Sequence, residues 1–180
     1  RRQLAANSGL AVNRVEHLLQ RYGSLVLEVL DIVAAEPDLA LPVPGAEDYL
    51  QAEVLYAVTH EGARHLDDIL TRRLRISIET FDRGVGAAAP VAELVRSHLG
   101  WDAEQTAREI EHYLKRVEAE RESQRQPDDH TADAARKGAP DVVPVSQTDV
   151  SIEGEQTVRQ PAESLQPGNT SGTERDDSGA

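Results

Sequence analysis

Apolar residues recur at helical spacing through the first two thirds of the chain, and this periodicity stops near residue 123. Side chains three, four and seven positions apart lie on the same face of a helix, so each periodic segment predicts one amphipathic helix. The predicted helices cover about 11–22, 25–35, 46–60, 64–74, 90–99 and 103–117. Residues 75–79 alternate and predict a short extended piece. The sequence therefore predicts an all-α fold, a compact bundle of about six helices.

Local signals fix several of the helix ends. Gly23 and Gly100 follow periodic runs, where a glycine often ends a helix in the left-handed conformation. Ser24 is a candidate cap for the second helix, and Asp102 with Gln105 three residues later predicts a capping box for the last one. That last helix is predicted to bury the apolar positions Ala107, Ile110, Leu114 and Val117.

The last 58 residues, 123–180, have a different composition. They contain no aromatic residue, five prolines, five glycines, and 11 acidic against 5 basic residues. Such a segment cannot bury enough apolar surface to offset the entropy of ordering. We expect 1–122 to be a helical domain and 123–180 to be a disordered, acidic tail rich in Pro, Gly and Ser.

Composition excludes several functional classes. The absence of cysteine removes disulfides, cysteine-ligated metals and thiol nucleophiles. A net charge of −13 opposes binding to nucleic acid, since phosphate backbones are themselves anionic. No apolar run approaches the roughly 20 residues of a membrane-spanning helix. We expect a cytoplasmic chain that meets the inner face of the cell membrane peripherally at most, and the absence of Met leads us to expect a fragment of a longer protein.

The chain contains a few residues of the types that catalytic and cofactor motifs use, but their spacing does not match such motifs. His60 and His65 are five residues apart, which places them about 140° apart around a helix and does not suit a shared metal ion. No serine lies in a nucleophile elbow, and Gly84-Val85-Gly86 lacks the preceding strand and third glycine of a dinucleotide fingerprint. The sequence predicts no catalytic, cofactor-binding or metal site in this segment.

A polar stripe is the strongest candidate site. Tyr49, Glu53, Tyr56 and His60 fall on one face of the predicted third helix, beside its apolar face. Half-buried polar groups need partners, and the candidates are Arg72, Arg73, Arg75, Glu61 and Glu79. One interpretation is an internal network that fixes the bend between the third and fourth helices. The other is a docking surface for another domain or a contact to an anionic ligand.

Two segments carry a family resemblance. Residues 49–61 read YLQAEVLYAVTHE and residues 66–76 read LDDILTRRLRI. Together with HLLQRYG at 17–23 and LGWD at 99–102, they resemble the C-terminal helical domain of FAD-dependent glycerol-3-phosphate dehydrogenases and oxidases. The resemblance covers about residues 12–118. Leu74 departs from it, because the family usually has a threonine between the arginines.

The resemblance implies the cap domain of a flavoenzyme that oxidises sn-glycerol 3-phosphate to dihydroxyacetone phosphate and passes electrons through FAD to quinone or oxygen. The implied partners are the FAD and substrate domain of the same enzyme and a second subunit. The larger N-terminal part of such enzymes holds FAD and substrate, so no catalytic or FAD-binding residue is assigned here. The alternative is a stand-alone acidic helical module for protein interactions.

Overall fold

The computed structural model describes residues 1–139 and shows a mostly helical fold, which confirms the predicted fold class. Eight α-helices are numbered in chain order: α1 Arg2–Ser8, α2 Val12–Tyr22, α3 Val26–Ala35, α4 Gln51–Thr59, α5 Ile76–Glu79, α6 Val85–Leu99, α7 Ala103–Ser123 and α8 Asp129–Lys137. Short 3-10 helices occupy Gly23–Leu25 and Pro37–Ala40, and a π-helix occupies Asp68–Arg73. Strands β1 (Pro42–Val43) and β2 (Ala46–Leu50) form an antiparallel hairpin.

Local signals account for several helix ends. α2 ends at Gly23, which has a positive φ of 56°, and α6 ends at Gly100 in the left-handed conformation. Asp102 caps α7, as predicted: its carboxylate accepts a hydrogen bond from the backbone N–H of Gln105 at 2.7 Å. The side-chain amide of Gln105, which the predicted capping box directs to the Asp102 backbone, donates to Glu109 at 3.0 Å. Ser24 is not a cap. It lies inside the 3-10 helix that leads into α3, whose first residue is Val26.

The prediction of a single helix over 46–60 is wrong, because this segment is a strand, β2, followed by α4. Gly45 turns the chain with a φ of 81°, and its Cα packs so closely on Gly86 that a Cβ there would lie 2.7 Å from the Gly86 carbonyl carbon. This contact with the start of α6 holds the hairpin in place. Leu50 is still extended, with φ −91° and ψ 150°, so helical geometry begins only at Gln51.

The segment between α4 and α6 also differs from its prediction. The π-helix Asp68–Arg73 occupies most of the predicted fourth helix. Arg75 then adopts a left-handed φ of 64°, which ends one helix and starts the next, so residues 76–79 form the short helix α5 rather than an extended piece. π-Helices are rare and often occur at functional positions.

α4 is the central element of the described fold. Its residues 52–57 are all buried, so the helix has no solvent face over that length. Val54 and Ala57 belong to a core cluster with α6 and α7, whereas Ala52, Leu55 and Tyr56 belong to a second cluster with α2 and α3. The helix that carries the polar stripe therefore joins the two cores.

The helical order continues past the predicted domain boundary. α8 begins after Asp128, whose carboxylate accepts a hydrogen bond from the backbone N–H of Thr131 at 2.9 Å, and it packs against α7. The predicted start of the disordered tail at residue 123 is thus wrong for Asp129–Lys137. Tail residues 140–180 lie outside the described residues. None of the described helices is long and apolar enough to cross a membrane.

Candidate functional site

Glu53 is a completely buried carboxylate at the start of α4. Its Oε1 accepts a hydrogen bond from the backbone N–H of Leu50 at 2.9 Å, which satisfies one of the free donors at the helix N-terminus. Its Oε2 lies 3.3 Å from Arg21 Nε and 3.5 Å from His17 Nε2. The charge of Glu53 is therefore balanced from α2, and not by the arginines at 72–75.

Arg21 connects three elements. Its side chain is 18% exposed, its Nη2 donates to the backbone carbonyl of Arg73 at 2.8 Å, and its Nη1 donates to the Tyr49 hydroxyl at 3.4 Å. Its guanidinium carbon also lies 4.9 Å from the centre of the Tyr49 ring, a cation–π distance. One guanidinium thereby fixes α2 against α4, β2 and the end of the π-helix.

Tyr49 and Tyr56 extend this cluster in two directions. The Tyr49 hydroxyl donates to the Glu79 carboxylate of α5. The Tyr56 hydroxyl donates to Glu28 of α3 at 2.8 Å, and the Tyr56 ring stacks on His60 with 4.6 Å between centroids. Burial, together with the hydrogen bond to Glu28, raises the pKa of Tyr56 to about 12. Both phenols therefore stay protonated near neutral pH and act as donors.

We name the residues around these contacts the Glu53 cluster: His17, Arg21, Tyr22, Tyr49, Glu53 and Glu61. Five buried atoms of this cluster make no hydrogen bond within the described residues, namely His17 Nε2, Arg21 Nε, the Tyr22 hydroxyl, Glu53 Oε2 and Glu61 Oε2. Burial raises the pKa of the Glu61 carboxyl, and the nearby charges of Arg73 and Arg21 oppose that shift. The cluster is thus rich in charge, and the hydrogen-bonding capacity of its buried atoms is incompletely used.

The predicted arginines take separate roles. Arg72 pairs with Asp68 at 2.7 Å and with Asp67 at 3.4 Å. Arg73 contributes its backbone carbonyl to Arg21, whereas its side chain and that of Arg75 are exposed and form no ion pair within residues 1–139. The structure therefore brings Tyr49, Glu53, Glu61 and the Arg73 backbone together and leaves Arg72 and Arg75 outside the Glu53 cluster.

A second buried carboxylate lies on α7. Glu109 is 1% exposed; its two oxygens contact His65 Nδ1 at 2.9 Å and accept from the backbone N–H of Leu66 at 3.0 Å. Next to it, Arg116 pairs with Asp67 at 2.9 Å. These contacts fasten the start of the π-helical segment to α7. His65 thus contacts Glu109, whereas His60 stacks on Tyr56, and no group of residues suited to a metal ion occurs in the described part of the chain.

Sequence reasoning missed His17, Arg21 and Tyr22 as members of the cluster. A signal was available, because His17 and Arg21 are four residues apart and lie on one face of α2. Nothing local showed that this face meets Glu53, which is 32 positions after Arg21 in the chain.

The G-x-G segment does not fit FAD. The backbone N–H groups of Gly84 and Gly86 already donate to the Asp82 carboxylate, at 3.0 and 2.7 Å. A phosphate at this helix start would have to displace that carboxylate and would meet its negative charge. The Gly84–Gly86 segment thus offers no cradle for a pyrophosphate, and we assign no redox step to it.

Comparison with known proteins identifies related sequences. The family model described as the C-terminal domain of alpha-glycerophosphate oxidase matches residues 1–106. The chain is 51% identical over 150 residues to a glycerol-3-phosphate dehydrogenase of Mycobacterium leprae, which covers 81% of this chain and 26% of that protein. It is also 51% identical over 138 residues to glycerol-3-phosphate dehydrogenase 2 of Mycobacterium tuberculosis, covering 77% and 24%.

A more distant relative is the glycerol-3-phosphate dehydrogenase of a Synechocystis strain, which is 32% identical over 104 residues, 58% of this chain and 19% of that protein. The chain thus spans about a quarter of the length of the mycobacterial relatives it matches. No solved structure matches it.

Proposed function

Because this chain belongs to the family of the C-terminal domain of alpha-glycerophosphate oxidase, we propose that it is the cap of an FAD-dependent glycerol-3-phosphate dehydrogenase. In this proposal, the rest of the enzyme holds FAD and oxidises sn-glycerol 3-phosphate to dihydroxyacetone phosphate, with quinone or oxygen as the electron acceptor. The observation that carries the proposal is the 51% identity to the Mycobacterium leprae enzyme across 81% of the chain.

The geometry of the Glu53 cluster supports a scaffolding role for the cap. Arg21 and Glu53 join α2 and α4, and the Arg21 contact to the Arg73 carbonyl adds the π-helical segment. Three of the four sequence segments that carry the family resemblance, 17–23, 49–61 and 66–76, fall on or around these elements. A cluster that uses its charges on one another suits the organisation of a domain better than the binding of a small substrate.

The proposed partners follow from this role. The cap would pack against the FAD and substrate domain of the same enzyme and take part in contacts with a second subunit. We propose that it binds no nucleic acid, since the chain carries a net charge of −13. The enzyme would be cytoplasmic and would meet the inner face of the cell membrane peripherally.

A chimera tests the proposal. This chain would replace the matching C-terminal quarter of the Mycobacterium leprae enzyme, and the purified chimera should contain flavin and oxidise glycerol 3-phosphate. The 180-residue chain alone should be colourless and inactive. Flavin or turnover in the chain alone would contradict the proposal, as would a folded chimera that contains no flavin.

Variants of the chimera distinguish a scaffold from a substrate site. Glu53→Ala should lower the melting temperature of the chimera or weaken its subunit assembly. It should leave the KM for glycerol 3-phosphate within about twofold, because KM rises when a contact to the bound substrate is lost and a scaffold residue makes no such contact. An unchanged melting temperature with a sharp rise in KM would show that the cluster touches substrate. The alternative, a stand-alone helical module for protein interactions, would instead be supported if the folded chimera contained no flavin and did not oxidise glycerol 3-phosphate.

A further inference from the structure

The α5 region displays two large apolar side chains to solvent. Phe81, the only phenylalanine of the chain, is 106% exposed relative to its reference state, and Ile78 is 67% exposed. Single exposed apolar residues are normal, but two within four residues on one turn are a candidate contact surface. Phe is also among the residues enriched in the cores of protein interfaces.

The backbone that carries Phe81 is held rigidly. Arg75 and Arg83, at the two ends of this segment, are the non-glycine residues with positive φ among residues 1–139, at 64° and 60°. Such conformations persist where surrounding contacts enforce them, and they cluster at functional positions. Here the Tyr113 hydroxyl donates to the Arg83 carbonyl at 2.7 Å, and Arg121 donates to the Asp82 carbonyl at 3.0 Å.

This rigidity is relevant to binding. A side chain on a fixed loop loses little conformational entropy when it enters a partner pocket, so a preorganised loop binds more tightly than a mobile one. The loop is ordered by contacts to α7, yet it directs its largest apolar side chain away from the core.

Three carboxylates line a surface cavity between β2 and the α5 region. A surface cavity of about 220 Å³ is lined by Ala46, Glu47, Asp48, Tyr49, Glu79 and Thr80. Ile78 directly precedes Glu79 in the chain, and Phe81 directly follows Thr80, so the exposed apolar pair and two of the lining residues belong to one four-residue segment. None of its three carboxylates has a cationic partner among the ion pairs of residues 1–139.

We propose that Ile78, Phe81, Glu47, Asp48 and Glu79 form the surface on which the cap docks to the FAD and substrate domain of its own enzyme. We name it the Phe81 surface. The matching face of that domain should present a pocket for an aromatic ring and an arginine or lysine side chain for the cavity. This inference rests on the proposed function. The carboxylates of the cavity are complementary to a cationic surface, and the roughly three quarters of each mycobacterial relative that this chain does not cover would supply that surface.

The chimera with the Mycobacterium leprae enzyme also tests the Phe81 surface. Phe81→Ser and Ile78→Ser should each lower the temperature at which the chimera releases flavin, by at least about 4 °C, because a buried aromatic anchor carries a large share of interface energy. Asp48→Asn should lower it less, and its effect should shrink at high salt. The matched control is Leu27→Ser on α3, which is 55% exposed and lies outside the Phe81 surface.

The isolated 180-residue chain provides the second readout. Phe81→Ser should leave its melting temperature within about 1 °C, because an exposed side chain makes no packing contact within the domain. A merely structural role for Phe81 would instead lower the melting temperature of the isolated chain.

Different experimental results would overturn the Phe81 surface and the proposed function. A chimera that holds flavin equally well with Phe81→Ser, Ile78→Ser and Leu27→Ser overturns the Phe81 surface and leaves the proposed function intact. A folded chimera without flavin overturns both. If the isolated chain forms a dimer in sedimentation that Phe81→Ser abolishes, the surface binds a second copy of the chain, and the assignment to the flavin domain is wrong.

Discussion

Arg21 and Glu53 form an ion pair in which Glu53 Oε2 lies 3.3 Å from Arg21 Nε and the carboxylate is completely buried. The pair joins α2 to the central helix α4, and the same guanidinium reaches the carbonyl of Arg73. The contribution of this ion pair to the stability of the fold depends on both partners being present. A buried charge that loses its partner is far more costly than the pair itself.

The first prediction concerns Glu53. Glu53→Ala should lower the free energy of unfolding by about 3–5 kcal/mol, because it leaves Arg21 buried without a counter-charge and frees the Leu50 N–H. Denaturation in urea measures this change. Glu93→Ala is the control, since the Glu93 side chain is 59% exposed and its ion pair within residues 1–139 is with Arg96, and it should change stability by less than about 1 kcal/mol. Equal effects of the two variants would contradict the role of the buried pair.

The second prediction concerns the pH dependence of Glu61. Burial raises the pKa of this carboxyl in the folded state above its ordinary value of 4.5, so ionisation above that pH destabilises the fold. Glu61→Gln should therefore raise the free energy of unfolding at pH 7, and the gain should disappear as the pH falls below 4.5. Thermal melts from pH 3.5 to 8 measure it. Glu36→Gln, at an exposed position, should show no such gain, and a loss of stability in Glu61→Gln at pH 7 would refute the prediction.

The third prediction concerns Asp82. Burial opposes ionisation of this carboxylate, but hydrogen bonds from the backbone N–H groups of Gly86 and Gly84 outweigh it and lower the pKa below the ordinary value of 3.8. The stabilisation is thus present above pH 3.8 and is lost as the pH falls through the lowered pKa. Asp82→Ala should lower the free energy of unfolding at pH 7 by about 1 kcal/mol, as the loss of a helix cap does.

The pH profile provides the check on Asp82. The stability difference between the wild-type chain and Asp82→Ala should close as the pH falls below 3.8, whereas Asp31→Ala should leave stability nearly unchanged throughout, because Asp31 is exposed and accepts no backbone hydrogen bond within residues 1–139. A difference that stayed constant down to pH 2 would mean that the charge of Asp82 is not what stabilises the loop.

The fourth prediction compares two glycines with positive φ. A Cβ at Gly45 would lie 2.7 Å from the backbone of Gly86, whereas a Cβ at Gly62 meets nothing within 4 Å. Gly62→Ala should lower the free energy of unfolding by only the left-handed penalty of about 1–2 kcal/mol. Gly45→Ala carries the same penalty and a backbone clash, so its loss should be clearly larger. Similar melting temperatures for the two variants would show that the hairpin can move away from α6.

Several helix ends fixed by residues that are close together in the chain agree with their prediction, whereas an element fixed by residues far apart in the chain does not. Gly23, Gly100 and Asp102 ended or capped helices as predicted, because the deciding hydrogen bonds and φ values involve neighbouring residues. The hairpin at 42–50 was missed because the contact that holds it, between Gly45 and Gly86, spans about 40 positions.

The buried face of α7 shows the same limit. The apolar positions Ala107 and Leu114 were predicted to be buried, but both are exposed, and Glu109 and Tyr113 are buried instead. A buried glutamate is tolerated here because His65, the Leu66 N–H and the side-chain amide of Gln105 satisfy it. Hydrophobic periodicity does not contain that information.

The sequence by itself determined the all-α class, the family and several helix ends, because each depends on short-range periodicity, caps or a linear pattern of residues. Tertiary structure alone decided that Arg21 and not Arg73 or Arg75 supplies the guanidinium that pairs with Glu53, that α4 joins two cores, and that Phe81 faces solvent. These outcomes depend on which helix faces meet in space. The free energy of burying a charge or an aromatic ring depends on the partners that a neighbouring helix supplies, and the sequence of a single helix does not contain that information.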